Sequence, residues 1–202
     1  YDPINDRKQY AFTGIMDYAA SDTVALKSLT SYRNFRAIFF HDFDMSSYAG
    51  YPLAQTTAVR TSANHWQPVF QHPLSQELQA NVDTDRLHAV FAGFYLKEKI
   101  RVENHIGYDV LTNTDPYRVQ FDGKLDVETW AVFGNVTYDL SEQLSLKAGG
   151  RYLWEKRHIN NNSGIGTAAT GFLLDPLQWN TSKTWDDFSP SLGVEFRPND
   201  DV

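Results

Sequence analysis

Apolar and polar residues alternate along several stretches of the chain, most clearly in two consecutive runs at residues 129–140 and 144–157. From Leu144 to Trp154 every second residue is apolar or small, whereas the residues between them include Lys147 and Arg151. A period of two is typical of a β-strand whose two faces meet different surroundings. Because only residues 141–143 separate the runs, the pattern predicts a hairpin of two long strands.

Both predicted strands are longer than the usual five or six residues, and a strand needs about 9–11 residues to cross the hydrocarbon of a bilayer. Aromatic residues near the ends of each apolar row, with a polar opposite face, are typical of a strand between lipid and a water-filled lumen. A long amphipathic hairpin in a soluble sandwich has the same patterning. The hairpin alone therefore leaves both interpretations open.

The rest of the chain favours a membrane barrel. Similar alternation predicts further strands at residues 9–20, 24–35, 74–82, 87–98 and 184–197. Short turns are predicted near positions 21, 84, 141 and 199, and long loops at residues 36–73, 99–127 and 158–183. Alternating short and long connections are typical of bacterial outer-membrane barrels, with tight periplasmic turns and long extracellular loops. The prediction is an all-β fold, an antiparallel transmembrane β-barrel of which this chain supplies about seven to eight strands.

Composition excludes several other classes of protein. The net charge of -7 and pI of about 5.3 give no attraction to nucleic acid, and no apolar run approaches the roughly 18 residues of a transmembrane helix. With 0 cysteines, disulfides, thiol catalysis and cysteine-based zinc sites are excluded. The sequence has no glycine-rich phosphate loop, His-Glu-x-x-His or Gly-x-Ser-x-Gly motif. We therefore expect no enzyme, no cofactor and no metal site.

Candidate functional residues fall into three groups. Imidazole, carboxylate and indole groups in the first long loop are candidates for ligand contacts, although solvated loop residues are the simpler interpretation of each: His41, Asp42, Asp44, His65, Trp66 and His72. Charged residues on the polar side of the strands are predicted to face the lumen, as a solvated wall with cross-strand ion pairs: Arg33, Glu77, Lys147, Arg151, Glu155, Glu195 and Arg197. Aromatic residues on the apolar side are predicted to form membrane girdles: Tyr10, Tyr18, Tyr95, Trp130, Tyr138, Tyr152 and Trp154.

Five segments in order also resemble, in sequence and spacing, the middle of the barrel of TonB-dependent outer-membrane receptors. They lie at residues 74–79, 90–95, 130–140, 144–152 and 185–190. The resemblance covers residues 9–202 and implies a 22-stranded barrel, preceded by a plug domain, in the bacterial outer membrane. It further implies active import of a scarce nutrient, with an iron–siderophore complex as the expected cargo. The implied partners are the lipid bilayer, the small-molecule nutrient and, through the plug, the energising TonB complex.

Seven full strands cannot close an even-stranded barrel, and an open edge in lipid would leave backbone groups unpaired. We therefore expect residues 1–202 to be part of one barrel domain, with the plug, the TonB box and the closing strands outside this sequence. Three alternatives stay open: a complete eight-stranded barrel, a passive porin or adhesin-like barrel, and a soluble β-rich binding module.

Overall fold

A single antiparallel sheet accounts for nearly all of the described chain. The computed structural model describes residues 4–42, 61–110, 117–167, 171–172 and 177–198. Its strands are β1 (Ile4–Ala19), β2 (Val24–Asp42), β3 (Thr61–Asp83), β4 (Leu87–Val110), β5 (Tyr117–Asp139), β6 (Leu144–Thr167), β7 (Gly171–Phe172) and β8 (Leu177–Phe196). Within these ranges, no helix is long and apolar enough to cross a membrane.

Each long strand pairs with the next one along the chain. The order is β1 to β6, after which β8 pairs with β6 along most of its length and the two-residue β7 pairs only with the upper end of β6. This meander confirms the predicted all-β antiparallel architecture. In the part of the chain that the structure describes, β1 and β8 are the two open edges of the sheet.

The turns at one end of the sheet are as short as predicted. The amide of Ala20 donates to Val24 O (2.9 Å), Thr84 N donates to Leu87 O (2.9 Å) and Leu140 N donates to Leu144 O (2.8 Å). Turns this tight hold consecutive strands side by side and fix their register. The fourth predicted turn, near residue 199, lies outside the described residues.

The prediction of three long loops is wrong over most of its length, because the strands continue well past the apolar rows. β2 reaches Asp42 and β3 begins at Thr61, while β4, β5 and β6 have 24, 23 and 24 residues. Alternation of apolar and polar residues requires two different solvents on the two faces. Where the two faces have similar surroundings, the backbone ladder continues but the two-residue period disappears from the sequence.

The register places the predicted apolar rows of all seven long strands on one face. Directly paired residues of neighbouring strands lie on the same side of a sheet. Leu26 pairs with Tyr18 on one side and with Ala80 on the other, and Ala80 in turn pairs with Phe91. We call this side the outer face; large apolar side chains are exposed on it, among them Phe12, Met16, Leu78, Val132, Phe188 and Leu192.

The opposite side, the inner face, is the more crowded one. Most of the buried residues of the sheet lie there, and they are small or β-branched: Ala37, Ala92, Val127, Thr129, Ala131, Ser145 and Ser163. Side chains converge on the concave side of a curved sheet, which explains why small residues fill it. Burial of small side chains on one face only is the pattern expected for a segment of a barrel wall.

Candidate ligand-facing wall

Polar side chains run up the inner face of β2, β3 and β4 and form three hydrogen-bonded groups. We call this line the polar track; from the short-turn end upward its members are Gln79, Glu77, Gln71, Glu98, Asn104, His65 and His41. Gln79 Nε2 donates to Glu77 Oε1, and Gln71 Nε2 donates to Glu98 Oε1 at 2.5 Å. The track offers amide, carboxylate and imidazole groups along one wall.

Two histidines and an asparagine form the upper end of the polar track. His41 and His65 are directly paired across β2 and β3, with ring centroids 4.7 Å apart and planes at 85°. Because Asn104 Oδ1 can only accept, His65 Nε2 donates to it (3.0 Å), and in the neutral ring His65 Nδ1 then accepts from His41 Nε2 (3.2 Å). This chain of bonds sets the tautomer of both rings and leaves His41 Nδ1 as a further acceptor.

The six candidate ligand-contact residues of the first predicted loop do not lie together in the structure. His41, His65, Trp66 and His72 lie on β2 and β3 and not in a loop. His41 and His65 meet on the inner face, whereas the strand period turns Trp66 and His72 to the outer face. Asp42 is the last residue of β2; its side chain, and Asp44 as a whole, lie outside the described residues.

An open cavity of about 420 Å³ lies lower on the inner face, between β3 and β8. Glu77 and Arg151 contribute opposite charges to its lining, and Asn135, Ser189 and Ser191 contribute hydrogen-bonding groups. Phe94 and Phe133 also contribute to the lining, so the wall combines charged and polar groups with two aromatic rings, in contrast to the apolar outer face of the same strands.

Six of the seven residues predicted to face the lumen lie on the inner face by register, and Arg197, one residue past β8, pairs with Glu195 of that face. Glu195 pairs with Arg197 Nε at 2.9 Å and with Lys147 Nζ across β6 and β8. Glu155 pairs with Arg157 Nε at 2.8 Å and accepts from the Thr129 hydroxyl at 3.2 Å. These contacts have the form of cross-strand and same-strand ion pairs. Contact of the seven residues with a lumen stays a prediction.

The seven predicted girdle aromatics all lie on the outer face. Tyr95, Trp130 and Trp154 are directly paired across β4, β5 and β6, and the Tyr95 and Trp130 rings are 4.3 Å apart. Tyr18 and Tyr138 lie at the other end of the apolar rows, beside the short turns. The arrangement forms two aromatic rows separated by apolar side chains, while their location at a membrane surface stays a prediction.

A hydrogen bond at the short-turn end lowers the pKa of Asp139 below its ordinary value of 3.8. The Ser145 hydroxyl donates to Asp139 Oδ1 and is the main cause, and the nearby His88 and Arg197 lower the pKa further. His88 Nε2 lies 3.4 Å from Asp139 Oδ2 and its Nδ1 pairs with Asp83. These contacts join the turn after β3 to the turn after β5.

Replacing Ser145 by alanine is expected to lower the urea midpoint of unfolding at neutral pH, because the ionised Asp139 loses its donor. A lowered folded-state pKa stabilises the protein above 3.8, and this contribution disappears as pH falls through the folded-state value. The difference between wild type and Ser145→Ala should therefore shrink at acid pH. Ser191→Ala, which removes an exposed inner-face hydroxyl, is the control. A difference that stays constant over the whole pH range would contradict the assignment.

Sequence reasoning missed the residues of β4 and β5 above the apolar rows. Asn104 completes the polar track, and Glu103, His105 and Asp122 place ligand atoms within 4.8 Å of one another on the outer face. All four fall in residues 99–127, which lack a period and were expected to form a loop. The two-residue spacing of Glu103 and His105 is the one signal in the sequence, and it has meaning only once the segment is known to be a strand.

Comparison with known proteins gives a family and a fold. The family described as TonB dependent receptor-like, beta-barrel matches residues 1–202. The crystal structure of the ferric yersiniabactin uptake receptor FyuA from Yersinia pestis matches with a TM-score of 0.67 at 17% sequence identity. That match covers 100% of this chain and 27% of the FyuA chain, so the chain spans about a quarter of its length. No curated protein matches the sequence.

Proposed function

The chain belongs to the TonB-dependent receptor-like β-barrel family, and from this premise we propose that it is part of the wall of a bacterial outer-membrane receptor that imports a small-molecule nutrient. The proposed cargo is an iron–siderophore complex, and the proposed energy source is the TonB complex acting through a plug. The observation that best supports this proposal is the contrast between the two faces: the polar track follows the inner face, and apolar side chains cover the outer face of the same strands.

The chemistry of the polar track suits such a cargo. Ferric chelates present several oxygen atoms on a compact surface, and each glutamine amide of the track has a second N–H that can donate to oxygen, since only one is used within the track. Binding sites built from a few convergent polar groups fix the orientation of a small ligand. The match to FyuA, whose name states that it takes up ferric yersiniabactin, supports an iron chelate as the first class of ligand to test.

The remainder of the barrel would come from further chain. FyuA is nearly four times as long as the part that matches here, which leaves room for closing strands that pair with the edges β1 and β8. Closure satisfies the backbone groups of both edges, as a barrel in lipid requires. We propose that residues 1–202 form one part of a 22-stranded domain with an enclosed plug.

The upper end of the polar track provides the test of this function. In the intact receptor, His65→Ala is expected to weaken binding of a ferric siderophore about 5- to 30-fold, because it breaks both hydrogen bonds of the His41–His65–Asn104 cluster. Quenching of tryptophan fluorescence by ferric siderophores, with ferric yersiniabactin as the first probe, measures the affinity.

His72→Ala is the matched control, since it removes a histidine of the same strand from the outer face. Equal affinities of the two variants would contradict a ligand site on the inner face. Iron uptake that is unchanged in cells lacking TonB would contradict active transport and favour a passive pore.

A further inference from the structure

Three oxygen-bearing side chains stand in one row on the outer face, above the apolar part of the sheet. Glu103 of β4 pairs directly with Asp122 of β5, which pairs directly with Asn162 of β6. His105 follows Glu103 by two residues, so it lies on the same face, and the Trp66 ring packs against it at 5.0 Å between centroids. Four potential metal ligands from three strands are thereby gathered on one side of the sheet.

The ligand atoms approach one another without forming hydrogen bonds. His105 Nε2 lies 3.7 Å from Glu103 Oε2 and 3.9 Å from Asp122 Oδ1. Both distances are too long for hydrogen bonds. His105 Nε2, Asp122 Oδ1 and Asn162 Oδ1 are each inaccessible to solvent and have no hydrogen-bond partner among the described residues. Buried polar atoms without partners are uncommon and destabilising. A cation bound between His105 Nε2 and Asp122 Oδ1 would satisfy both of these atoms, and Asn162, which pairs directly with Asp122, offers a further oxygen on the same face.

The neighbouring groups orient the two carboxylates toward a common point. Gln120 Nε2 donates to Asp122 Oδ2 at 2.5 Å, and Arg101 pairs with Glu103 Oε1. One oxygen of each carboxylate is engaged in this way. The other oxygen, Asp122 Oδ1 or Glu103 Oε2, is the one that lies near His105 Nε2. Groups that hold ligands in this way are a regular part of metal sites.

We propose that Glu103, His105, Asp122 and Asn162 bind a divalent cation of the first transition row, with Zn²⁺ as the representative ion. Bonds of about 2.0–2.2 Å place neighbouring ligands of a tetrahedral ion about 3.4 Å apart. The distances of 3.7 and 3.9 Å therefore need to close by only a few tenths of an ångström. An imidazole nitrogen favours such an ion over Mg²⁺ or Ca²⁺, and the cation offsets the two carboxylates.

This site is separate from the proposed transport path. Its residues lie on the outer face, whereas the polar track lies on the inner face of the same sheet. A bound ion would tie β4, β5 and β6 together beyond the apolar rows. Loss of siderophore binding would leave the metal proposal intact, and loss of metal binding would leave the transport proposal intact.

Calorimetric titration of the intact, detergent-solubilised receptor with Zn²⁺ tests the proposal. We expect saturable binding in the wild type, weakened at least tenfold by either His105→Gln or Asp122→Asn. His158→Gln should leave binding unchanged, because His158 is a histidine of the outer face of β6 whose Nδ1 bonds to Ser182 Oγ at 2.8 Å.

Asn162→Asp provides an independent variant that keeps the fold and adds a charged ligand, so Zn²⁺ should bind at least tenfold more tightly. Absence of saturable Zn²⁺ binding in the wild type would overturn the proposal. Equal losses in His105→Gln and His158→Gln, or weaker binding in Asn162→Asp, would overturn it as well.

Discussion

Leu192→Arg is expected to destabilise the folded receptor in a bilayer by about 2–4 kcal/mol. Leu192 lies on the outer face of β8, midway between Phe188 and Phe196, and is 89% exposed. Because its side chain scarcely touches the sheet, the substitution removes little packing, and the cost comes from placing a guanidinium in hydrocarbon. Urea unfolding of the receptor in lipid vesicles measures this free energy.

Two neighbours on the same strand serve as controls for face and depth. Ser191→Arg places the same charge one residue away on the inner face, beside the open cavity, and should cost less than about 1 kcal/mol. Val194→Arg stays on the outer face but lies closer to the short-turn end, so its cost should fall between the other two. Equal costs for Leu192→Arg and Ser191→Arg would show that the two faces do not meet different solvents.

Gly149→Ala is expected to destabilise the receptor by about 1–3 kcal/mol through overpacking. A Cβ at this position would lie 2.0 Å from Asn135 Oδ1 and 2.8 Å from Ser191 Oγ, so both side chains must move. Gly149 pairs directly with both residues, and their side chains line the inner-face cavity. The same urea unfolding experiment measures the loss.

A double-mutant cycle separates this clash from other effects of alanine. In an Asn135→Ala background the nearest obstructing atom is gone, so Gly149→Ala should cost at least about 1 kcal/mol less than in the wild type. Gly193→Ala is the matched control, since its Cβ would meet only Lys147 Cβ at an ordinary 3.6 Å. Additive losses in the cycle would rule out the Asn135 contact as the cause.

The sequence predicted the half of the sheet in which one face is apolar and the other polar. From Trp130 to Tyr138 every second residue is apolar or glycine, and the register places these residues on the outer face. Tight turns such as residues 141–143 fix that register locally, so face and pairing follow from short-range information. This is why the strands and the two faces of the hairpin could be predicted without a structure.

The upper half could not be predicted because its chemistry depends on pairing between distant residues. His65 and Trp66 are neighbours in sequence, yet one joins the polar track and the other packs against His105 on the opposite face. No period marks these positions, since both faces carry mixed residues. The proximity of Glu103, Asp122 and Asn162 follows from the register of three strands, which the sequence does not display.

The register also fixes the angle at which the strands would cross a membrane. Residues that lie directly opposite one another across the sheet form a row, and the row that contains Tyr10 of β1 reaches Ser182 of β8 after six strand-to-strand steps. The outer-face aromatic of β8 at the same end of the apolar part is Phe188, six residues further along the chain. Tyr95, Trp130 and Trp154 share one row, so the shift arises between β1 and β4 and between β6 and β8. Averaged over the six steps, the aromatic level shifts by about one residue, roughly 3.3 Å, for each strand spacing of about 4.8 Å. A shift of this size corresponds to a strand tilt of about 35°, at the lower end of the range for transmembrane barrels. The hydrogen-bond rows therefore run obliquely to the plane defined by the aromatic side chains.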